Sequence, residues 1–152
     1  MPILSRRFNR IKSVLNKRMD NLTVLIEDVE KPHNLSAIMR TCDAVGVLEI
    51  SCISQTNKPK TFNKTAQGSQ KWININQYNN AESAIKKLKT EGFKIYGTVV
   101  DVETKDYRDL NYVGPTAFVL GAEKWGLSSR TSDLIDEALH IPMRGMVQSL
   151  NV

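Results

Sequence analysis

Cysteine and histidine are both scarce: two of each occur in 152 residues. Cys42 and Cys52 lack metal-ligand spacing and sit among apolar neighbours, so they read as buried free thiols rather than a disulfide or a ligand pair. His33 and His140 are too isolated to suggest a zinc site, and no metal is expected. No apolar run approaches the roughly 20 residues a bilayer-spanning helix needs. The N-terminus is basic and amphipathic and has no apolar core or cleavage site of a secretory signal, which points to a cytoplasmic protein. A G-x-G-x-x-G after the first strand, a P-loop and a G-x-S-x-G elbow are all missing. Dinucleotide binding, nucleoside-triphosphate binding and serine hydrolysis therefore have little support.

What is present is one domain's worth of chain with an ordinary apolar fraction of 41% and charged fraction of 24%. The net charge of +5 is unevenly placed. Arg6, Arg7, Arg10, Lys12, Lys17 and Arg18 face a single Asp20 in the first twenty residues, and the rest of the chain sums to zero. A neutral domain with a cationic leading segment suggests a polyanion partner, either nucleic acid or a membrane surface. Residues 3–18 place Leu4, Phe8, Ile11 and Leu15 at helical spacing. This predicts a basic amphipathic helix that docks on the core, contacts RNA phosphates or lies on a membrane.

Leu22–Ile26 reads as a buried first strand, followed by an acidic loop from Glu27 through His33. Asn34 is expected to cap a helix with Leu35, Ile38, Met39, Cys42 and Val45 inward, stopped by Gly46. A second strand is expected over 47–53, an irregular loop over 54–71 and a short strand over 72–75. A helix marked by Ala81, Ala84, Ile85 and Leu88 then ends at Gly92. Strands over 93–100 and 116–120 flank a polar connection. A helix over 129–138, with Leu134, Ile135 and Ala138 inward, precedes a last strand over 139–143. Alternating strands and helices predict an α/β fold with a mostly parallel sheet covered on both faces.

Three polar loops at strand ends remain as candidate chemistry: 27–34, 121–128 and 144–152. Arg40, on the otherwise core-facing helix, reads as a surface arginine or as a phosphate fork. Glu123 is equally open between a solvated and a functional role. Gly121 and Gly126 would let backbone approach a ligand closely.

Three segments occur in order: His33-Asn34-Leu35-Ser36-Ala37-Ile38-Met39-Arg40-Thr41, Leu120-Gly121-Ala122-Glu123-Lys124-Trp125-Gly126-Leu127-Ser128, and Ile141-Pro142-Met143 through Ser149-Leu150-Asn151-Val152. This combination resembles the three motifs of the SpoU family of RNA ribose methyltransferases, in the SPOUT superfamily. The context from Glu27 to Gly46 and at Gln67-Gly68-Ser69 is similar to the branch that methylates tRNA guanosine. The resemblance implies a deep trefoil knot and binding of S-adenosylmethionine around Thr98, Leu120, Gly121, Ile141, Met143, Ser149 and Leu150. The implied reaction moves the methyl group to the 2′-hydroxyl of the D-loop guanosine. Arg40 is implied to act as base or as electrostatic anchor, supported by Asn34, Glu123, Ser149 and Asn151.

Residues 1–20 would be a tRNA-contacting helix, using Arg6, Arg7, Arg10, Lys17 and Arg18, and residues 21–152 the methyltransferase domain. Family members continue into a helix that completes the knot and helps form a homodimer, so the sequence is expected to lack that C-terminal helix. Two competing readings are a ribosomal RNA ribose methyltransferase of the same family and a non-catalytic RNA-binding module. Steep salt dependence of RNA binding without cofactor binding would favour the binding module.

Overall fold

The computed structural model describes residues 5–29, 31–54, 72–101 and 103–150. The expected loop over 54–71 and the Gln67-Gly68-Ser69 stretch fall almost entirely outside the described residues, as do Leu4 and Asn151. After helix α1 (Ser5–Leu15) come β1 (Leu22–Glu27), α2 (Pro32–Val45) and β2 (Glu49–Ile53). They are followed by β3 (Asn74–Tyr78), α3 (Ala81–Thr90), β4 (Lys94–Thr98) and β5 (Lys105–Asp106). The chain then forms a 3₁₀ turn (Tyr107–Asp109), β6 (Thr116–Leu120), the short α4 (Ser129–Ser132) and β7 (Glu137–His140).

Among the described residues, seven strands form one sheet in the order β3-β2-β1-β6-β4-β7-β5, and every pairing between them is parallel. Adjacent residues of β1 point to opposite faces, as the strand period requires. Ile26 packs with Leu35, Ile38, Met39 and Cys42 of α2, while Leu25 packs with Ala84, Ile85 and Leu88 of α3. The sheet therefore carries a helix on each face, and β1 reads as nearly continuously apolar because both its faces are covered.

Several boundaries differ from expectation. The first helix after β1 starts at Pro32 rather than after an Asn34 cap, with Lys31 at the N-cap. Proline's fixed φ and missing N–H suit the first helical position, so Pro32 starts the helix before Asn34 can. The third strand begins at Asn74 and extends to Tyr78, because Ile75 is registered against Ile50 of β2. The helix expected over 129–138 is a single turn, and the last strand runs from Glu137 to His140, so Ala138 lies in a strand. Asp136 is the cause: its N–H donates to the Ile95 carbonyl while its carboxylate accepts from the Ile95 N–H. That pairing draws the chain into the sheet early. The polar connection also contains β5 and the 3₁₀ turn, where the 107–113 stretch packs Tyr112 against Tyr96 and Phe118.

The N-terminal arm is tied to the domain at one place. Gly46 closes α2 in the left-handed conformation (φ +92°), with its N–H bonded to the Asp43 carbonyl. Its carbonyl accepts from the Met19 N–H at 2.8 Å. Arg18 pairs with the Asp43 carboxylate and donates to the Val47 carbonyl at 3.0 Å, leaving its side chain only 6% exposed. Arg18 is therefore committed to the fold, which corrects its expected place among the RNA-contacting cations. Arg6, Arg7, Arg10 and Lys17 are exposed. No described residue of α1 is buried, and Phe8 and Leu15 are open to solvent.

A methyl group at position 46 would meet the Lys17 carbonyl oxygen at 2.7 Å on a backbone that disfavours side chains. Gly46→Ala should therefore cost on the order of 2–3 kcal/mol, read as a lower urea midpoint. An unchanged midpoint would contradict this junction.

Candidate active site at the strand ends

Because all the strands are parallel, the C-terminal ends of β1, β6, β4 and β7 lie side by side along one edge. Ile26 is registered with Leu120, Gly97 with Val119 and Thr98 with Leu139. This edge is where open α/β sheets place ligands. It carries the loop from Asp28 into α2, the 121–128 loop, residues 99–101, and the 141–150 segment.

The first two loops are joined through a buried carboxylate. Glu27, the last residue of β1, is 4% exposed. It accepts from the Ser128 N–H (3.0 Å), the Ser128 hydroxyl (2.7 Å) and the Thr131 hydroxyl (2.6 Å). Ser128 is also the N-cap of α4, where its Oγ accepts from the Thr131 N–H. Hydrogen bonds to an ionised acceptor are short and strong, and three of them offset the desolvation of this group. The carboxylate thereby fixes the 121–128 loop to the end of β1.

Within that loop the Ala122 and Gly126 backbones bond to each other at 3.0 and 2.8 Å, closing a tight turn. Gly126 takes a positive φ of 67° there. Gly121 passes so close that an added Cβ would lie 2.2 Å from the Gly126 carbonyl carbon. The turn projects Glu123, Lys124 and Trp125, and Trp125 is largely exposed with the Lys124 ammonium over its ring. Glu123 bonds to Lys31 Nζ at 2.6 Å, a second bridge between the two loops.

On α2, Asn34 is buried while Arg40 is exposed, about 120° further round the helix. Arg40 lies about 9 Å along the axis from Asn34, and helical side chains lean toward the N-terminus, back toward the strand ends. The structure thus brings Asn34, Glu123 and the start of α2 to one edge, with Arg40 farther along the helix. Thr98, whose hydroxyl donates to the Val119 carbonyl at 3.0 Å, stands beside Leu120 and Gly121. Ile141 and Met143 follow β7 directly, whereas 144–150, including Ser149 and Leu150, are exposed.

Val100 and Ile141, which follow β4 and β7, and Leu150 are exposed. Among the described residues no group of His, Cys, Asp and Glu could hold a metal ion, and no helix is long and apolar enough to cross a membrane.

Sequence pattern makes Glu27 a loop acid and gives no role to Lys31, Ser128 or Thr131. The available signal is a carboxylate ending an otherwise apolar strand. Elsewhere along the edge, hydrogen bonds from the Arg108 side chain and its backbone N–H hold the Asp106 carboxyl down to about 2. Burial pushes the Cys42 thiol up to about 11, in keeping with an inert core thiol.

The SpoU rRNA Methylase family profile matches residues 21–152. The tRNA (guanosine(18)-2'-O)-methyltransferase of Thermus thermophilus is 50% identical over 146 residues, covering 96% of this chain and 75% of that protein. The crystal structure of the A. aeolicus TrmH/SpoU tRNA modifying enzyme superposes with a TM-score of 0.89 at 39% identity, over 97% of this chain and 75% of that one. An AdoMet-bound rRNA methyltransferase from Sinorhizobium meliloti gives a TM-score of 0.77 at 28% identity, over 89% of this chain and 52% of that one.

Gly121→Ala should force the turn open, since the clash is with backbone. Amide exchange at Ala122 and Gly126 should then rise at least about tenfold, a loss of more than about 1.4 kcal/mol of local protection. Unchanged protection would contradict the close approach.

Proposed function

The chain belongs to the SpoU rRNA methylase family, and from that premise we propose that it is a tRNA 2′-O-ribose methyltransferase acting on the D-loop guanosine. The observation that supports this reading is that the described parts of the three motif segments start at or beside one edge of one parallel sheet. The substrate assignment is supported by the name of the relative at 50% identity. S-adenosylmethionine as methyl donor is supported by the AdoMet-bound neighbour.

Thr98, Leu120, Gly121, Ile141, Met143, Ser149 and Leu150 would hold the donor in a deep trefoil knot. Bound there, the donor supplies an electrophilic methyl group on a sulfonium. The protein's own task is to orient the ribose so that O2′ approaches that methyl in line with the breaking S–C bond, and to take up the O2′ proton. Arginine stays protonated in proteins, so Arg40 serves as an electrostatic anchor for the substrate phosphate and the developing charge on O2′. Glu123 is the candidate acceptor and orienting group on the facing loop. Asn34, Ser149 and Asn151 complete the hydrogen-bonding set.

Residues 1–20 form an RNA-contacting arm on which Arg6, Arg7, Arg10 and Lys17 meet phosphates, and residues 21–152 form the methyltransferase domain. Exposed Phe8 and Leu15 on α1 support self-association into a homodimer. A tRNA substrate supports a cytoplasmic location.

The test is methyl transfer to an unmodified tRNA transcript, with the site mapped by nuclease digestion and mass spectrometry. The expected product carries one methyl on the D-loop guanosine ribose. Methyl on another nucleotide would discard the substrate assignment. Arg40→Ala should lower turnover at least about 100-fold, a loss of about 2.7 kcal/mol of transition-state stabilisation, with donor affinity within about twofold. Near-normal turnover would remove Arg40 from the mechanism.

A further inference from the structure

Lys31 stands where a helix would ordinarily want a different residue. It occupies the N-cap of α2 yet makes no side-chain cap hydrogen bond there. Ser, Thr, Asp or Asn would cap that end, and a cation beside a helix N-terminus opposes the helix dipole. Local stability therefore does not account for the residue.

Its ammonium instead reaches a residue 92 positions away in sequence, bonding Glu123 Oε2 at 2.6 Å across neighbouring strand ends. The lysine side chain is 70% exposed and the glutamate 23%. An ion pair so open to solvent adds little to folding, and the same two loops are already joined by the buried Glu27 bonds. The outer bridge is thus redundant as a fastener.

Orientation is what remains. The turn from Ala122 to Gly126 fixes the backbone of Glu123 through its paired backbone bonds, but leaves the carboxylate free to swing about its side-chain torsions. Lys31 removes that freedom. It draws the carboxylate toward the start of α2, the helix that carries Asn34 and Arg40, and away from open solvent.

We propose that Lys31 is a positioning residue for methyl transfer, which presets the Glu123 carboxylate facing α2 before the ribose arrives. This rests on the reading of Glu123 as a site residue. A local departure from helix preference beside a functional loop is where a sequence is expected to trade stability for function.

The test is a double-mutant cycle with the full chain, unmodified tRNA transcript and S-adenosylmethionine. Lys31→Ala should lower kcat about fivefold and leave KM for tRNA within about twofold, because the contact aligns a group rather than binding substrate. Lys31→Arg should restore most of the rate. In a Glu123→Gln background, Lys31→Ala should cause no further loss, since the group it aligns is already impaired.

A second readout needs no turnover. Ammonium proton exchange at Lys31, followed by NMR, should be slowed in the wild type and fast in Glu123→Gln. A Lys31→Ala effect confined to KM, equal in both backgrounds and weakened by salt, would identify a plain phosphate contact and overturn the proposal. Glu123→Gln with wild-type turnover would instead sink the site role of Glu123 itself, a failure distinct from an impaired Glu123→Gln accompanied by a silent Lys31→Ala.

Discussion

The arrangement of the site depends on one buried carboxylate. Glu27 ends a strand that is apolar on both faces, and no cation is bonded to it among the described interactions. Its partners are the N–H of Ser128 and the hydroxyls of Ser128 and Thr131. A carboxylate so placed has little tolerance for partial satisfaction, because an unmet buried charge costs far more than each hydrogen bond contributes. The consequence is geometric. A loop nearly a hundred positions downstream is held at the end of β1, beside the start of α2. The neighbouring pairing of β1 with β6 brings the two loops into reach, and Glu27 then fixes their relative position.

The parallel sheet sets the wider frame. Since its strands run in one direction, their outgoing loops share one edge, and the segments that resemble the family motifs leave from it or start beside it despite lying far apart in the chain. The edge is also asymmetric. Its β1–β6 side is bonded into place, whereas 144–150 beyond β7 is exposed. The N-terminal arm follows the same logic: Arg18 is consumed in anchoring it at Gly46, which leaves the cations ahead of it free for an anionic partner.

Much of the fold is legible in the sequence because periodicity reports burial. The double-faced strand β1, the α3 core stripe, the α2 stripe up to Cys42 and the Gly46 stop are readable from side-chain spacing, whereas Val45, expected inward, is exposed. What spacing misses depends on contacts distant in sequence. Asp136 bonds to Ile95 and pulls an expected helix into a strand, and nothing local to residues 129–138 signals that. By position alone Arg18 is one cation among six; in the fold, Asp43 and the Val47 carbonyl enclose it. For the site, the motif residues are found through resemblance, but Glu27, Ser128 and Lys31 act through partners that spacing alone cannot pair. Residue type favours Asn34 as a cap. The proline two residues earlier wins, and the asparagine becomes an interior residue of the first turn.

The most direct measurement compares amide hydrogen exchange in the wild type with that in Glu27→Gln. The amide keeps one acceptor oxygen where the carboxylate offers two, so at least one of the three bonds is lost, a cost of about 1–3 kcal/mol. The account predicts a rise in exchange of about tenfold or more, concentrated at Ser128–Thr131 and spreading to the Ala122–Gly126 turn, while the amides of β2 and α3 keep their protection. Unchanged protection at Ser128 and in the turn would contradict the claim that this carboxylate holds the site together.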